Sequence, residues 1–431
     1  MALKVPGPRG RWFVGELPEY EADRVGWLVR TRAEYGDVVR LAPNAVVVHD
    51  IEFARLVLGG TNDDYLLDSA PLAGRRRQDA LRGRVPEWMR LRGLVSRACR
   101  AFLTPLGVEH LVRVHDAELR AHRGGDLVVA GREICGRGIV RLALTDDDPG
   151  AVEEITRAAR RAFEESLTSL ERNEPRLRWL PRPASRRAAE SVRELQELLA
   201  VQVQRRRPAA GEVRCLLDAV LVEGVDDQTA AAAVRMLVFS AQGVPGAALS
   251  WVFARLAEHP GAARVVADET RGVSLGAALA DGALPETDAF VREVLRLHPP
   301  QWMIARTTTE PVVVGEHLVP RGCQVLISPY LLHRDARWWD EPERFRPRRW
   351  VSGDVTRKAF LPFGGGPRTC PGLRLALIQL QALTALLAGG HAVELMSGGS
   401  GAVRAGGLLL PEGLTGCWHE PVLPRNGDGC A

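Results

Sequence analysis

The stretch FLPFGGGPRTCPGLRLAL, Phe360–Leu377, sets a single cysteine between two structure-breaking segments. Three consecutive glycines and a proline precede Cys370, and Pro371 and Gly372 follow it. Apolar residues then recur at three and four positions, which predicts a helix over Leu373–Leu387. Glycines let the backbone approach a bulky group and reach conformations that other residues avoid. A helix starting just past Pro371 aims its first backbone N–H groups back at the sulfur, and that placement favours a thiolate. Three roles fit Cys370: a buried structural thiol, a nucleophile or a metal ligand. A nucleophile would normally need a histidine base, and none of the ten histidines lies near it in the sequence.

Composition narrows the class. The chain has 431 residues, enough for one large or two ordinary domains, and 46% of them are apolar, a globular balance. The formal net charge is only +4. Acids and bases are interspersed, and the basic runs at Arg75–Arg77 and Arg205–Arg207 are short, so no nucleic-acid-binding stripe is expected. Seven scattered cysteines, an odd count without metal or redox spacing, argue against a disulfide framework and for a reducing, cytoplasmic compartment. The opening MALKVPGPRGRWF has no apolar run, so neither a signal peptide nor a membrane anchor is expected. The low-charge stretch Met236–Phe253 carries Ser, Gln, Gly and Pro and reads as a buried core helix.

Along the chain, the first Pro-Gly-Pro is a stiff, extended lead-in. DVVRLAPNAVVVHD, Asp37–Asp50, alternates and turns like a hairpin. Helical periodicity runs through Trp88–Phe102, Val108–Leu119, Val152–Leu167, Ala188–Val203 and a long Asp227–Glu258. Glu171–Arg187 is a proline-broken, mobile connection, Val312–Ser328 is the best sheet region, and LLLPEGL, Leu408–Leu414, suggests a last hairpin. Strands and helices do not alternate as βαβ units. The expected architecture is mainly α with small β-sheets, one domain over residues 1–431.

Phe363, Gly366, Arg368, Cys370 and Gly372 fill the frame F-x-x-G-x-R-x-C-x-G. In that frame the chain resembles the cytochrome P450 family, whose haem-binding loop it is. Further matches follow the family's order: Trp88 and Arg92 as W-x-x-x-R, Glu293 and Arg296 as E-x-x-R, and Pro342-Glu343-Arg344-Phe345 as the meander. The resemblance covers nearly the whole chain and is weakest between Leu119 and Asp227. It implies a haem-thiolate fold binding haem b, with Cys370 as the axial iron ligand, and thiolate donation favours oxygen–oxygen cleavage. It implies that Phe363 packs beside the sulfur, and that Trp88, Arg92, Arg306 and Arg368 hold the haem propionates. Glu293, Arg296 and Arg344 are implied as a buried charge network bracing the loop.

One part of the pattern fails. The family's central helix often carries an acid and an alcohol beside the oxygen site, as A-G-x-(D/E)-T. Here the corresponding stretch is FSAQGVPGAALSW, Phe239–Trp251. Either register puts residues among Gly243, Val244 and Pro245 at the acid–alcohol pair, so neither group is present. Pro245 should kink this helix, with Gly243 and Gly246 absorbing the distortion. Gln242 is the nearest amide for positioning water, and Ser240 a weaker candidate. The resemblance implies oxidation of a small organic molecule, with a bacterial secondary metabolite as the expected class. The reaction could be hydroxylation, epoxidation, or ring formation and rearrangement. A peroxide-using variant and a non-catalytic gas sensor are the alternatives. Expected partners are a separate ferredoxin or flavodoxin and an NAD(P)H-dependent reductase, docking near Arg92, Arg97, Arg100 and Arg374, and the chain is expected to be a monomer. Loops around Leu66–Glu87 and Leu167–Trp179, and the last hairpin, are expected at the substrate mouth.

Overall fold

The computed structural model describes residues 4–11, 14–66, 75–145, 148–171, 183–207, 211–353, 355, 357–399 and 401–419. The fold is mainly helical, with four small sheets among the described residues. The hairpin read from Asp37–Asp50 forms as Val38–Ala42 against Ala45–Val48. It opens a five-stranded sheet, continued by Gln324–Ile327, Ile304–Thr308 and Tyr65–Leu66. Ala45–Val48 and Gln324–Ile327 run parallel, and the other pairs in this sheet are antiparallel. Buried valines and isoleucines on these strands pack with the Ile51–Gly59 helix in a core of their own.

The helix expected after the cysteine is present as Leu373–Gly390, and ten of its side chains are buried. It bridges the two larger apolar clusters: Leu375, Ile378 and Ala382 enter one, and Leu377, Leu380, Leu383 and Leu387 enter the other. The helices expected over Trp88–Phe102, Val108–Leu119, Val152–Leu167 and Ala188–Val203 appear within Arg75–Phe102, Pro105–Ala121, Pro149–Glu171 and Pro183–Arg206, and the first takes in residues 75–87, expected from the sequence as a loop. Of the connection read at Glu171–Arg187, residues 172–182 lie outside those described, and Pro183 already begins a helix. A helix with only weak sequence signals, Leu127–Ala143, is among the most buried.

The long helix expected over Asp227–Glu258 is two helices, Asp227–Ser240 and Val244–Glu258. Pro245 occupies the first turn of the second, where its missing N–H would have had no intrahelical partner. A proline read as a kink therefore starts a new helix. Gly243 caps the break, and the ring of Phe163 from Pro149–Glu171 lies against it. Gly246 does not absorb that distortion; it makes a helix crossing. A Cβ there would stand 2.5 Å from Arg132 Cα and 2.7 Å from Arg132 N, so only a bare backbone fits against Leu127–Ala143.

The last hairpin also differs in register. Leu409–Pro411 is one arm, paired with Val403–Ala405, while Glu412–Leu414 leads into the strand Thr415–His419. That strand is central in a three-stranded sheet, between Gly124–Asp126 and Ala392–Ser397. The crossing at Gly246 yields a direct expectation. Gly246→Ala forces backbone against backbone, and overpacking of this kind costs about 1–3 kcal/mol. The denaturation midpoint of the haem-loaded protein should fall accordingly, and an unchanged midpoint would contradict the crossing.

Candidate haem-thiolate site

Cys370 sits between a 3-10 turn, Gly366–Arg368, and the helix that begins at Leu373. The loop is held by its own backbone. Cys370 N–H donates to Phe363 O at 3.0 Å, and Thr369 N–H donates to Gly366 O at 3.1 Å. Gly366 has φ +67°, and a Cβ there would stand 2.1 Å from the Leu58 carbonyl oxygen. The loop thus lies flush on the end of the Ile51–Gly59 helix, which only glycine allows. The Phe363 side chain is half-buried and packs on the cluster that contains Leu377.

Burial pushes the Cys370 thiol up, while the Gly372 N–H and the Arg92 charge act in the opposite direction. The expected stabilising donors are present, yet burial outweighs them. A bound metal ion removes the thiol proton outright, so the loop is suited to a coordinated sulfur rather than a free thiolate.

Arg92, Arg306 and Arg368 gather beside this loop. Arg368 and Arg92 lie on the Trp88 ring, with their guanidinium carbons 3.8 and 4.5 Å from its centroid. Arg92 donates to the Thr369 carbonyl of the cysteine loop. Arg306, on the strand Ile304–Thr308, donates to Thr61 Oγ1 at 2.9 Å, and Arg368 donates to Asn62 Oδ1 at 2.6 Å. Burial, then repulsion from Arg368 and Arg92, lowers Arg306 to about 10; burial and Arg92 do the same to Arg368. No carboxylate among the described residues pairs with any of the three. Three crowded guanidiniums without an anion are costly as they stand. A haem fits here because its two propionates would supply the missing negative charge, each able to accept charge-assisted bonds. The sequence singled out the arginines but not Thr61 and Asn62, which orient two of them. The one local signal was the turn-rich GGTND at Gly59–Asp63, where Asn62 adopts φ +90°.

Behind the loop lies the charge network, and here one assignment is corrected. Glu293 and Arg296, both 0% exposed, form a bidentate pair with two 2.9 Å contacts. The third charge is Arg349, at 3.1 Å from Glu293 Oε1 and 3% exposed. The Arg344 side chain is 69% exposed and pairs with Glu341; only its backbone oxygen accepts from Arg296. Pro347 starts the 3-10 turn Pro347–Trp350, which turns Arg349 and the Trp350 N–H inward to Glu293. Burial alone would raise the Glu293 carboxyl, but Arg296, Arg349 and the Arg346 N–H together hold it low.

His333 carries this network to the cysteine loop. Its Nδ1 is 2.9 Å from Arg296 O, and its Nε2 accepts from Leu361 N–H at 2.8 Å. Burial lowers His333 to about 3, so the ring is neutral, and its Nδ1 must be the donor. Leu361 lies two residues before Phe363.

The distal candidates divide. Gln242 is buried, and its Nε2 donates to Gly136 O at 3.3 Å and Val238 O at 3.1 Å. Its Nε2 braces two helices, and the residue also lines a small cleft with His122, Arg132 and Phe163. Gly243 is buried under Phe163. Val244 and Pro245 are half-buried, and Val244 packs with the cluster of Val128, Ala247, Leu408 and Leu410. Ser240 is exposed between neighbours that are more buried. Leu408 and Leu410 also line a cleft of about 580 Å³ together with Leu167, Arg132, Arg404 and Arg24. Of the expected mouth segments, residues 67–74 and 172–179 lie outside those described.

Two mutational outcomes follow from this geometry. Breaking a buried charge network costs about 3–5 kcal/mol, so Arg349→Ala should lower the denaturation midpoint and haem content strongly while Arg344→Ala leaves both near the parent values. The reverse order would restore Arg344 to the network. Removing a charged hydrogen-bond donor costs about 1.5–3 kcal/mol, so Arg306→Ala should speed haem release to a scavenger protein about ten-fold or more. An unchanged release rate would remove Arg306 from the anchor.

Comparison with known proteins accords with these features. The family model for "Cytochrome P450" matches residues 5–400. Cyclooctatin synthase of Streptomyces melanosporofaciens is 31% identical over 262 residues, covering 58% of this chain and 57% of that protein. Cyclooctat-9-en-7-ol 5-monooxygenase of the same organism is 30% identical over 222 residues, 48% of each chain. The matched segments thus span about half the length of these relatives. A crystal structure of a cytochrome P450DA heme domain superposes with a TM-score of 0.76 at 17% identity, covering 97% of this chain and 98% of the other. With its cysteine loop, its anion-seeking arginines and a family match over most of its length, the chain belongs to the cytochrome P450 family, whose cofactor is haem b.

Proposed function

We propose that this chain is a haem-thiolate monooxygenase acting on a small organic molecule, a bacterial secondary metabolite, in the cytoplasm. The observation that carries the reading is the half-buried Cys370 beside three guanidiniums that no carboxylate among the described residues neutralises. The Cys370 sulfur would hold the iron of a haem bound there, and the group would supply thiolate-supported use of dioxygen. Trp88, Arg92, Arg306 and Arg368 would hold its carboxylates. Gly372 N–H and Arg92 draw electron density from the sulfur, and Phe363 limits water beside it. The names of the Streptomyces relatives support the substrate class.

The protein side of the reaction is shaped by what residues 242–245 lack. None of Gln242, Gly243, Val244 and Pro245 can titrate, so no side chain there passes on a proton. The Ser240 hydroxyl is exposed at the end of the first of the two helices, and we assign it the task of holding water in that role, together with polar groups of the substrate. Val244, Leu408 and Leu410 pack in one apolar cluster, and the latter two also line the cleft of about 580 Å³, a small-molecule volume whose lining includes no residue of the Cys370 loop. Its rim carries Arg24, Arg132 and Arg404 together with the acids Glu21 and Asp23.

Electrons come from a separate ferredoxin or flavodoxin and its reductase. Of the expected docking charges, Arg92 is turned to Trp88 and Thr369, and Arg97 pairs with Glu223 at 2.7 Å. The exposed Arg100 and Arg374 remain for a partner's acidic face.

A screen of candidate metabolites for the haem spin-state shift, with product analysis of each hit, tests this reading. At least one ligand should displace water from the iron and yield an oxygenated or ring-closed product. Ser240→Ala should keep the spin shift while diverting reducing equivalents away from product. Full coupling in Ser240→Ala would contradict the role given to its hydroxyl. A chain that shifts with many ligands and oxidises none would contradict the monooxygenase reading.

A further inference from the structure

The strand Thr415–His419 carries two donor groups on one face, and its neighbour adds a third. Successive strand residues point to opposite faces, so Cys417 and His419 share the side opposite Trp418. The position of Trp418 settles which side that is. Its ring is 2% exposed, stacks on Phe253 with centroids 5.0 Å apart, and donates from Nε1 to Leu119 O at 3.1 Å. Sliding the strand by one residue would pull this indole from the core and leave its N–H unpaired, a cost that pins the register. Cys417 and His419 are thereby held outward.

Directly across, Cys417 pairs with Glu394 of the strand Ala392–Ser397. Val393 and Leu395 pack on the core, so Glu394 also faces outward. Its Oε1 lies 3.8 Å from His419 Nε2, and the three donor atoms all lie within 4.8 Å of one another. On its other side Cys417 pairs with Gly124, so no side chain crowds the sulfur from that strand. Cys417 is a free thiol. Among the described residues, no hydrogen bond engages the sulfur, the Glu394 carboxylate or the His419 ring.

We propose that Glu394, Cys417 and His419 form a zinc-binding site on the outer face of this sheet, separate from the haem. Thiolate, imidazole and carboxylate together are a zinc donor set, and their mixture of soft and borderline ligands disfavours magnesium and calcium. Tetrahedral zinc bonds of about 2.0–2.3 Å place donors roughly 3.3–3.8 Å apart. The His419–Glu394 separation already meets that spacing, and the sulfur closes on it by rotation about its own side chain. Water takes the fourth position. Binding releases the Cys417 proton to solvent, with no redox change. The ion ties together the two strands from which the Val403–Pro411 hairpin springs, and that hairpin presents Leu408 and Leu410 to the cleft. The site is thus a clip at the base of the hairpin that walls the cleft.

The test is a competition titration of the haem-loaded full chain with zinc against a chromogenic chelator. One equivalent should bind. Cys417→Ser and His419→Ala should each weaken it about ten-fold or more, and Glu394→Gln by a smaller factor. Cys430→Ser, in the terminal stretch outside the described residues, should leave it unchanged. The haem Soret band reports that each variant is folded. Zinc-edge X-ray absorption of the parent protein should find one sulfur among nitrogen and oxygen donors. Absence of binding, affinity retained in Cys417→Ser, affinity lost in Cys430→Ser, or a zinc shell without sulfur would each overturn the site.

Discussion

The constraint on which the rest depends is electrostatic. Arg92, Arg306 and Arg368 converge beside the cysteine loop, and burial and mutual repulsion depress two of them to about 10. Three such charges beside one loop, two of them on the Trp88 indole, call for an anion to meet them. In the proposed function the propionates of haem would be that anion, and Cys370 would bind the iron they come attached to. Cofactor and fold would then stabilise each other, since the arginines are costly without an anion and a free haem lacks the thiolate.

Holding Cys370 at the right height is a second task, and it is distributed. The flush seating of Gly366 on Leu58 sets one edge of the loop. The helix from Leu373, anchored in both large apolar clusters, sets the other. From behind, the Glu293, Arg296 and Arg349 charges pass through neutral His333 to the Leu361 N–H. A buried ion network is a poor source of net stability but a strict one in geometry. Its placement here, two hydrogen bonds from the loop, suits a part whose job is alignment.

Much of this was legible in the sequence. Five spaced residues around Cys370 marked the loop, helical periodicity marked most of the long helices, and the Asp37–Asp50 alternation marked the first hairpin. What stayed hidden has physical reasons. RFRPRRW, Arg344–Trp350, holds four arginines within seven residues. Which of them turns inward depends on a 3-10 turn begun by Pro347, and spacing does not reveal it. Pro245 reads in the sequence as a kink, whereas it occupies the first turn of a second helix, with the ring of Phe163 against Gly243 at the break. The Leu127–Ala143 helix shows only a narrow polar stripe, Glu133, Arg137 and Arg141, and its three glycines weaken its intrinsic helix signal. Gln242 is legible in the sequence only as a polar side chain, and the brace its Nε2 makes between two helices depends on packing. His333 lies far in sequence from both groups it joins, so no local pattern could connect them.

The central claim is that Cys370 is the iron ligand of a haem anchored by these arginines. The carbon monoxide difference spectrum of the reduced, haem-loaded protein tests it most directly. The account predicts a Soret band at the thiolate-ligated position, lost in Cys370→Ala and Cys370→His and retained in Cys99→Ala and Cys417→Ala. A thiolate-type band that persists without Cys370, or its absence from the parent protein fully loaded with haem, would contradict the account.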